Sequence, residues 1–133
     1  MNWKRRNKLS MPSIPLISIV DDDDALRRSL ENLIRSVGLR AQGFSSAEAF
    51  LKSNQLHETD CLILDVCMPG MSGLELERKI AVADRHMPII FITAHQDDDR
   101  RTKALENGAV AFLYKPFYEE ELLNAIDSAL RGS

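Results

Sequence analysis

The sequence predicts an α/β fold of the doubly wound type, in which a five-stranded parallel sheet carries helices on both faces. Five short apolar runs recur along the chain of 133 residues, and each is followed by a segment whose apolar residues have helical spacing. Parallel strands need crossover connections, and the helical segments supply them. Apolar residues make up 44% of the chain, which suits one hydrophobic core. A length of 133 residues is too short for a second folded domain.

Each predicted strand is a short apolar run bounded by turn-forming or polar residues. The second strand is the weakest, because Arg40 and Gln42 alternate with apolar neighbours. The third ends in a single carboxylate, Asp65, and the turn residues Pro69 and Gly70 follow within a few positions. The predicted strands are residues 16–20, 39–44, 61–65, 89–93 and 109–114.

A predicted helix follows every strand. Gly38 and Gly108 stand at the C-cap positions of the first and fourth helices. Ser72 is the best N-cap for the third. The fourth helix has acidic residues at its start and basic residues later, the order that a helix dipole favours. The predicted helices are residues 26–37, 47–53, 72–82, 97–107 and 119–130.

Composition limits the cellular setting of the protein. The longest apolar runs are far shorter than the roughly 20 residues of a membrane-spanning helix. Residues 1–13 form a basic tail without the apolar region of a secretory signal, so residues 14–131 are expected to be a cytoplasmic domain with no membrane contact. Four of the 17 Lys and Arg residues lie in that tail, whereas all 20 Asp and Glu residues lie in the body. Such an acidic body argues against nonspecific binding of nucleic acid.

The cysteines and histidines give no sign of a disulfide or a zinc site. Cys61 and Cys67 flank the same strand end, and an extended backbone would separate them by roughly 20 Å, too far for a disulfide. They are therefore expected to be reduced thiols. None of the three histidines has metal-ligand spacing with another histidine or with a cysteine (His57, His86 and His95).

Polar side chains at the ends of four strands indicate a functional site. The carboxyl ends of parallel strands open on one edge of the sheet, where ligands bind at the topological switch point. Carboxylates converging with an ammonium and a hydroxyl suit a hard, oxygen-seeking cation beside an anionic group, and magnesium or manganese fits best. The residues are Asp21 and Asp22 after strand one, Asp65 in strand three, Thr93 in strand four and Lys115 after strand five.

These residue types predict phosphoryl chemistry on Asp65. A divalent cation would relieve repulsion among the carboxylates and keep Asp65 ionised as a nucleophile, and attack on a phosphoryl group would yield an acyl phosphate. Lys115 and the cation would share the transferred oxygens, while Thr93 donates a hydrogen bond to one of them. The simpler alternative for Asp65 is helix capping, which Ser72 can do better. Asp23 or Asp24 is favoured as an N-cap, and the metal pair is assigned to the two aspartates next to Val20.

The pattern resembles response-regulator receiver domains over residues 14–130. The matching segments are Val20-Asp21-Asp22, LDVCMPGMSG around Asp65, Ile92-Thr93-Ala94 and GAVAFLYKPF at residues 108–117. Each segment alone is a weak signal, but four in this order and spacing are specific. The MPGMSG loop and the SSAEAFL segment are most similar to receivers of the nitrogen-fixation-regulator type.

The resemblance implies the flavodoxin-like strand order 2-1-3-4-5 and a role for each site residue. Asp65 would be the phosphoacceptor, and the backbone carbonyl of Cys67 would complete the metal ligands. Thr93 would be the switch hydroxyl and Phe112 the switch aromatic, which turns inward on phosphorylation. The peptide bond between Lys115 and Pro116 would be cis.

The resemblance also implies partners. A sensor histidine kinase would supply the phosphoryl group, and the face made by the fourth helix, fifth strand and fifth helix would mediate homodimerisation. DNA would be bound only through a C-terminal output domain that lies outside this chain. The alternative is a stand-alone receiver that acts by protein contacts or as a phosphate sink. Either would be an acceptor rather than a turnover enzyme. One departure is the polar fourth helix, in which Ala104 and Leu105 are the main packing residues.

Two other classes of protein share features with this sequence. A flavodoxin-like cofactor carrier would need a phosphate-binding loop rich in Ser, Thr and Gly after the first strand, where this chain has four acids. A phosphatase with an aspartate nucleophile would need an acid-base aspartate two residues later, where this chain has Cys67.

Overall fold

The computed structural model describes residues 13–82 and 86–132. The predicted basic tail therefore lies, except for Ser13, outside the described residues. The strands are β1 Leu16–Val20, β2 Arg40–Phe44, β3 Cys61–Asp65, β4 Ile89–Thr93 and β5 Ala111–Tyr114. The α-helices are α1 Asp24–Ser36, α2 Ala47–Lys52, α3 Gly73–Val82, α4 Asp98–Glu106 and α5 Glu119–Arg131.

The five strands form one parallel sheet in the order β2-β1-β3-β4-β5. This confirms the predicted fold class and strand order. Register places the carboxyl ends side by side, since Val20 pairs with Leu64, Asp65 with Ile92, and Thr93 with Tyr114. The residues that follow β1 and β5 are thereby brought to the same edge as Asp65.

Alternation along the strands divides the hydrophobic core into two layers. Ile17, Ile19 and Ile63 point to the face covered by α1 and α5. Leu62, Leu64 and Phe91 point to the opposite face, which α2, α3 and α4 cover. All residues of β1, β3 and β4 are buried, as expected for central strands with helices on both faces. Within the described residues, no helix is both long and apolar enough to span a bilayer.

Side-chain caps fix where several helices begin. The Asp23 carboxylate accepts a hydrogen bond from the Leu26 amide at 3.1 Å and caps α1, as predicted for this cluster. Ser72 and Glu75 cap α3 reciprocally, because each side chain accepts a hydrogen bond from the other's backbone amide, at 3.2 and 3.3 Å. Asp65 is therefore free of any capping role, as expected.

Several predicted boundaries differ from the observed ones by one or two residues, and α1, for example, begins at Asp24 rather than at residue 26. β5 begins at Ala111 rather than at residue 109, because the Ala109 amide closes the end of α4 by donating to the Ala104 carbonyl at 3.0 Å. β2 begins at Arg40. α2 ends at Lys52, and an unpredicted 3-10 helix, Asn54–His57, follows it. Ser53 starts that turn, since its hydroxyl accepts a hydrogen bond from the Gln55 amide at 3.2 Å.

Helix α4 is packed weakly, as its polar sequence predicts. Ala104 is its buried residue, and Leu105 is half-buried. A hydrogen bond at 2.8 Å from the Tyr114 hydroxyl to the Asp98 carboxylate joins the first turn of α4 to β5. Both side chains lie at the surface, so this bond contributes little stability.

Both cysteines are free, as predicted. Cys61 is buried in β3, and burial together with the nearby Asp60 carboxylate raises the pKa of its thiol to about 12. Cys61 therefore stays protonated and serves as a small core residue.

Candidate functional site

The structure brings the predicted acids and the lysine together at the carboxyl edge of the sheet, between β1 and β3. Asp21, Asp22 and Asp65 each offer a carboxylate oxygen, and these atoms lie within 4.8 Å of one another. The Lys115 ammonium nitrogen lies 3.0 Å from Asp21 Oδ2 and 3.3 Å from Asp65 Oδ2. This edge is the switch point where the strand order reverses, the usual ligand position in such sheets.

Asp65 is buried at the end of β3, with 5% of its surface exposed. Its Oδ1 accepts a hydrogen bond from the Cys67 amide at 3.1 Å, and its Oδ2 faces Lys115. Burial and the neighbouring Asp21 charge raise the pKa of Asp65 to about 6, although Lys115 and the Cys67 amide oppose the shift. The carboxylate is thus mostly ionised at neutral pH, but it carries a desolvated charge.

The two aspartates after β1 differ in exposure. Asp21 is fully buried, and its Oδ1 accepts a hydrogen bond from the Asp23 amide at 2.9 Å while its Oδ2 binds Lys115. Asp22 is exposed at the mouth of the site. The pair that approaches Asp65 is therefore the pair next to Val20, whereas Asp23 faces the helix it caps.

Lys115 reaches the acids from the turn after β5. Its amide donates to the Thr93 carbonyl at 2.7 Å, and its bond to Pro116 is cis, as the family resemblance implied. Burial lowers the pKa of Lys115, but hydrogen bonds and charge attraction from Asp21 and Asp65 outweigh burial and raise it. Lys115 therefore stays charged and holds the two carboxylates near each other.

The two predicted switch residues lie beside this edge. Thr93 is buried, and its hydroxyl oxygen accepts a hydrogen bond from the His95 amide at 3.1 Å, which leaves the hydroxyl proton for another acceptor. Phe112 has 5% of its surface exposed, and its ring centroid lies 5.9 Å from that of Phe91. The Phe112 ring is thus already buried in this structure, and its inward turn on phosphorylation stays a prediction.

Cys67, whose backbone carbonyl was predicted as a metal ligand, lies two residues after Asp65 in the β3–α3 loop. Its thiol is exposed, and the sulfur lies 3.8 Å from the Arg100 guanidinium of α4. The assignment of the carbonyl as a ligand stays a prediction.

Sequence reasoning missed three residues that shape the site. Gly73 lies so close to β3 that an added Cβ would stand 2.4 Å from the Asp65 carbonyl oxygen. Glu48 of α2 accepts a hydrogen bond from the Met71 amide at 3.1 Å and so supports the β3–α3 loop. Arg27 of α1 donates to the Asp21 carbonyl at 2.8 Å. Their roles arise from contacts between elements, and spacing within the sequence gives no signal for them.

The donor set fits a divalent cation. The three carboxylates present only oxygen atoms, which suit Mg²⁺ or Mn²⁺ rather than a thiolate-seeking metal. Burial and the neighbouring Asp21 charge raise the pKa of Asp65, and the positive charge of a bound cation would offset both effects.

A doubly wound sheet with strand-tip aspartates and a lysine at its carboxyl edge is the arrangement expected of the signalling domains of two-component systems. The chain belongs to the response regulator receiver domain family, whose sequence profile matches residues 17–127. Receiver domains of this family interact with sensor histidine kinases and generally bind Mg²⁺ through acidic residues.

Similar proteins support this assignment. The chain is 51% identical over 116 residues to the response regulator protein TmoT of Ectopseudomonas mendocina, an alignment that covers 87% of this chain and 53% of TmoT. It is 38% identical to the transcriptional regulatory protein FixJ of Azorhizobium caulinodans, covering 92% of this chain and 58% of FixJ. The solved structure of the response regulator StyR superposes with a TM-score of 0.83 at 42% identity, covering 90% of this chain and 60% of StyR. The chain thus spans about half the length of the curated relatives it matches.

Asp65 is expected to make the stability of the cation-free protein decrease between about pH 4 and pH 6. Its pKa is 3.8 in its ordinary state and about 6 in the fold, so in this range the folded protein binds the extra proton. Raising the pH removes that proton and leaves a buried charge, which favours unfolding. Urea denaturation in the presence of a chelator measures the effect as the difference between the parent and Asp65→Asn. Identical pH slopes in the two proteins would show that another group titrates.

Proposed function

We propose that this chain is a phosphorylation-controlled switch in which Asp65 accepts a phosphoryl group from the phosphohistidine of a sensor kinase. One observation carries the proposal. Lys115 bridges Asp21 and Asp65, while Asp22 approaches from the solvent side, so the proposed nucleophile, the proposed cation ligands and a fixed ammonium lie within a few ångström of one another. A merely structural salt bridge would not need the additional exposed acid.

The residues divide the chemistry among them. Asp65 attacks phosphorus through a carboxylate oxygen, the P–N bond to histidine breaks as the P–O bond forms, and the imidazole leaves with the bonding electron pair. Asp21, Asp22 and Asp65, with the backbone carbonyl of Cys67, would hold Mg²⁺, which would supply positive charge to the phosphoryl oxygens. Lys115 provides the same charge from the protein side, and its ammonium lies only 3.3 Å from Asp65.

Readout is proposed to pass through Thr93 to the α4–β5–α5 face. The Thr93 proton can be donated to a phosphoryl oxygen, because its oxygen already accepts from His95. Movement of Thr93 changes the end of β4, against which Phe112 and Tyr114 are paired in β5. Since α4 has little buried surface, a small change at the end of β4 can shift the balance between conformations of α4. The re-formed face would then support homodimerisation.

The chain is proposed to act in transcriptional control through an output domain of the full-length protein. Its relatives include proteins named as transcriptional regulators, and this chain covers about half of their length. It would be a phosphoacceptor that assists its own phosphorylation and dephosphorylation, rather than an enzyme with a separate substrate. The stand-alone receiver remains the alternative, and the length of the complete coding sequence decides between them.

Phosphorylation by a small acyl phosphate in the presence of Mg²⁺ tests the proposal. The parent is expected to gain the mass of one phosphoryl group in a base-labile form, and Asp65→Asn to gain none, because the amide is a poor nucleophile. Asp99→Asn is the matched control, since Asp99 is an exposed acid of α4. Equal labelling of the parent and Asp65→Asn would refute the assignment of Asp65.

A further inference from the structure

We infer that Arg27 is a positioning residue for the acidic loop after β1, and that the absence of a side chain at Gly43 makes room for it. The inference deepens the proposed function, because this loop carries Asp21 and Asp22 of the cation site. Arg27 is not one of the residues that would hold the cation.

The Arg27 guanidinium holds the loop at both ends. One terminal nitrogen donates to the Asp21 carbonyl at 2.8 Å, and the other donates to the Asp24 carboxylate at 2.6 Å. Asp22 and Asp23 lie between these two points. A planar guanidinium fixes the direction of both hydrogen bonds, which the ammonium of a lysine cannot do. The side chain is only 15% exposed, so it occupies one well-defined path.

With the hydrogen bond from Arg27, every polar group of Asp21 has a partner. Its amide donates to the Phe44 carbonyl at 3.1 Å, and its two carboxylate oxygens accept from the Asp23 amide and from Lys115. Arg27 binds the remaining polar group of Asp21, the carbonyl. That carbonyl belongs to the peptide unit leading to Asp22, whose side chain is exposed. Arg27 therefore determines the direction in which the chain leaves Asp21 toward Asp22.

Gly43 of β2 lies beneath the path of Arg27. A Cβ added at Gly43 would stand 2.9 Å from both Cγ and Cδ of Arg27 and 2.5 Å from Oε2 of Glu31. The Glu31 carboxylate is the flexible end of a side chain and can move away. The Arg27 stem is anchored at its guanidinium, so it can yield only by giving up the contacts with Asp21 and Asp24. Glycine is thus needed at position 43 because a side chain there would displace Arg27 from the loop after β1. The backbone conformation of Gly43 does not itself require glycine.

Magnesium titration of the unphosphorylated protein by calorimetry tests this inference. Arg27→Gln is expected to weaken Mg²⁺ binding by about 10-fold, as is usual when a group that orients a metal ligand is removed. Arg28→Gln removes the same charge from an exposed neighbour and should change the affinity less than about twofold. Arg27→Lys keeps the charge but has only one nitrogen in place of the two that bind Asp21 and Asp24. Its Mg²⁺ affinity should lie between those of the parent and Arg27→Gln.

Gly43→Ala is a second, independent test, because it changes no residue of the loop after β1. It is expected to weaken Mg²⁺ binding in the parent but to have no further effect in Arg27→Gln, because the displaced side chain is then absent. Leu30→Val, a core change in α1, controls for general loss of stability and should keep the parent affinity.

The outcomes separate this inference from the proposed function. Parent-like affinity in Arg27→Gln, or additive effects of Arg27→Gln and Gly43→Ala, would overturn the role of Arg27 while leaving the cation site intact. A parent protein that binds no Mg²⁺ would instead refute the cation site on which the proposed function relies.

Discussion

Replacing Lys115 by methionine is expected to slow phosphorylation of Asp65 by roughly a hundredfold or more, the usual effect of removing one preorganised group that faces developing negative charge. Methionine keeps much of the length of the side chain but supplies no donor. The two carboxylates that Lys115 now holds, 3.0 and 3.3 Å away, would face each other without a positive charge between them. Loss of the ammonium also removes an influence that lowers the pKa of Asp65, so more of this nucleophile would be protonated at neutral pH.

The same substitution should change stability in a way that depends on the cation. Without a divalent cation the variant leaves Asp21 fully buried beside Asp65 and unpaired, and it should lose about 1–3 kcal/mol of unfolding free energy. Magnesium should restore more stability to Lys115→Met than it adds to the parent, because it supplies the missing charge. Lys79→Met, an exposed lysine of α3, is the control. A phosphorylation rate within about threefold of the parent would contradict the role given to Lys115.

Gly73→Ala is expected to have the second large effect. Gly73 is the first residue of α3 and is buried, and its amide donates to the Val66 carbonyl at 3.1 Å. The added methyl carbon would stand 2.4 Å from the Asp65 carbonyl oxygen and 3.1 Å from Cα of Val66, both of them backbone atoms that cannot rotate away. Either α3 or the end of β3 must move, at a cost of about 1–3 kcal/mol or more in stability. Because a displacement of about 1 Å at a reacting group can cost roughly a hundredfold in rate, phosphorylation should slow sharply as well.

Gly108→Ala provides the matched comparison for Gly73→Ala. Gly108 has a φ of +102°, so alanine is strained there, but apart from its chain neighbours no heavy atom of the described residues lies within 4 Å of the added Cβ. Gly108 also precedes β5, so it lies near the amino ends of the strands, whereas Asp65 lies at their carboxyl ends. This variant should lose stability while its folded molecules phosphorylate at the parent rate. If the two glycine variants phosphorylate equally well at matched folded fractions, the contact of Gly73 with β3 has no influence on Asp65.

Much of the fold follows from local patterns in the sequence. Apolar runs such as residues 89–93 are buried on both faces, and the alternation of strand and helix requires parallel crossovers, so the layers and the sheet edge could be predicted without coordinates. Helix starts at Asp23 and Ser72 were also predictable, because capping depends on residues three positions apart. The 3-10 helix at Asn54–His57 escaped prediction, since its sequence has no apolar period.

Local sequence patterns were enough to predict which side chains lie at the carboxyl edge, because parallel strands align their ends. Asp21 and Lys115 each follow a strand, and Asp65 and Thr93 each end one. The protonation of those side chains and the contacts that hold them depend on residues from other elements. The raised pKa of Asp65, the bridging position of Lys115, the clearance at Gly73 and the contact of Arg27 with the Asp21 carbonyl all arise between elements far apart in the chain. A local pattern fixes the direction in which a residue points, but burial, charge and clearance depend on the neighbour that the fold brings to within a few ångström.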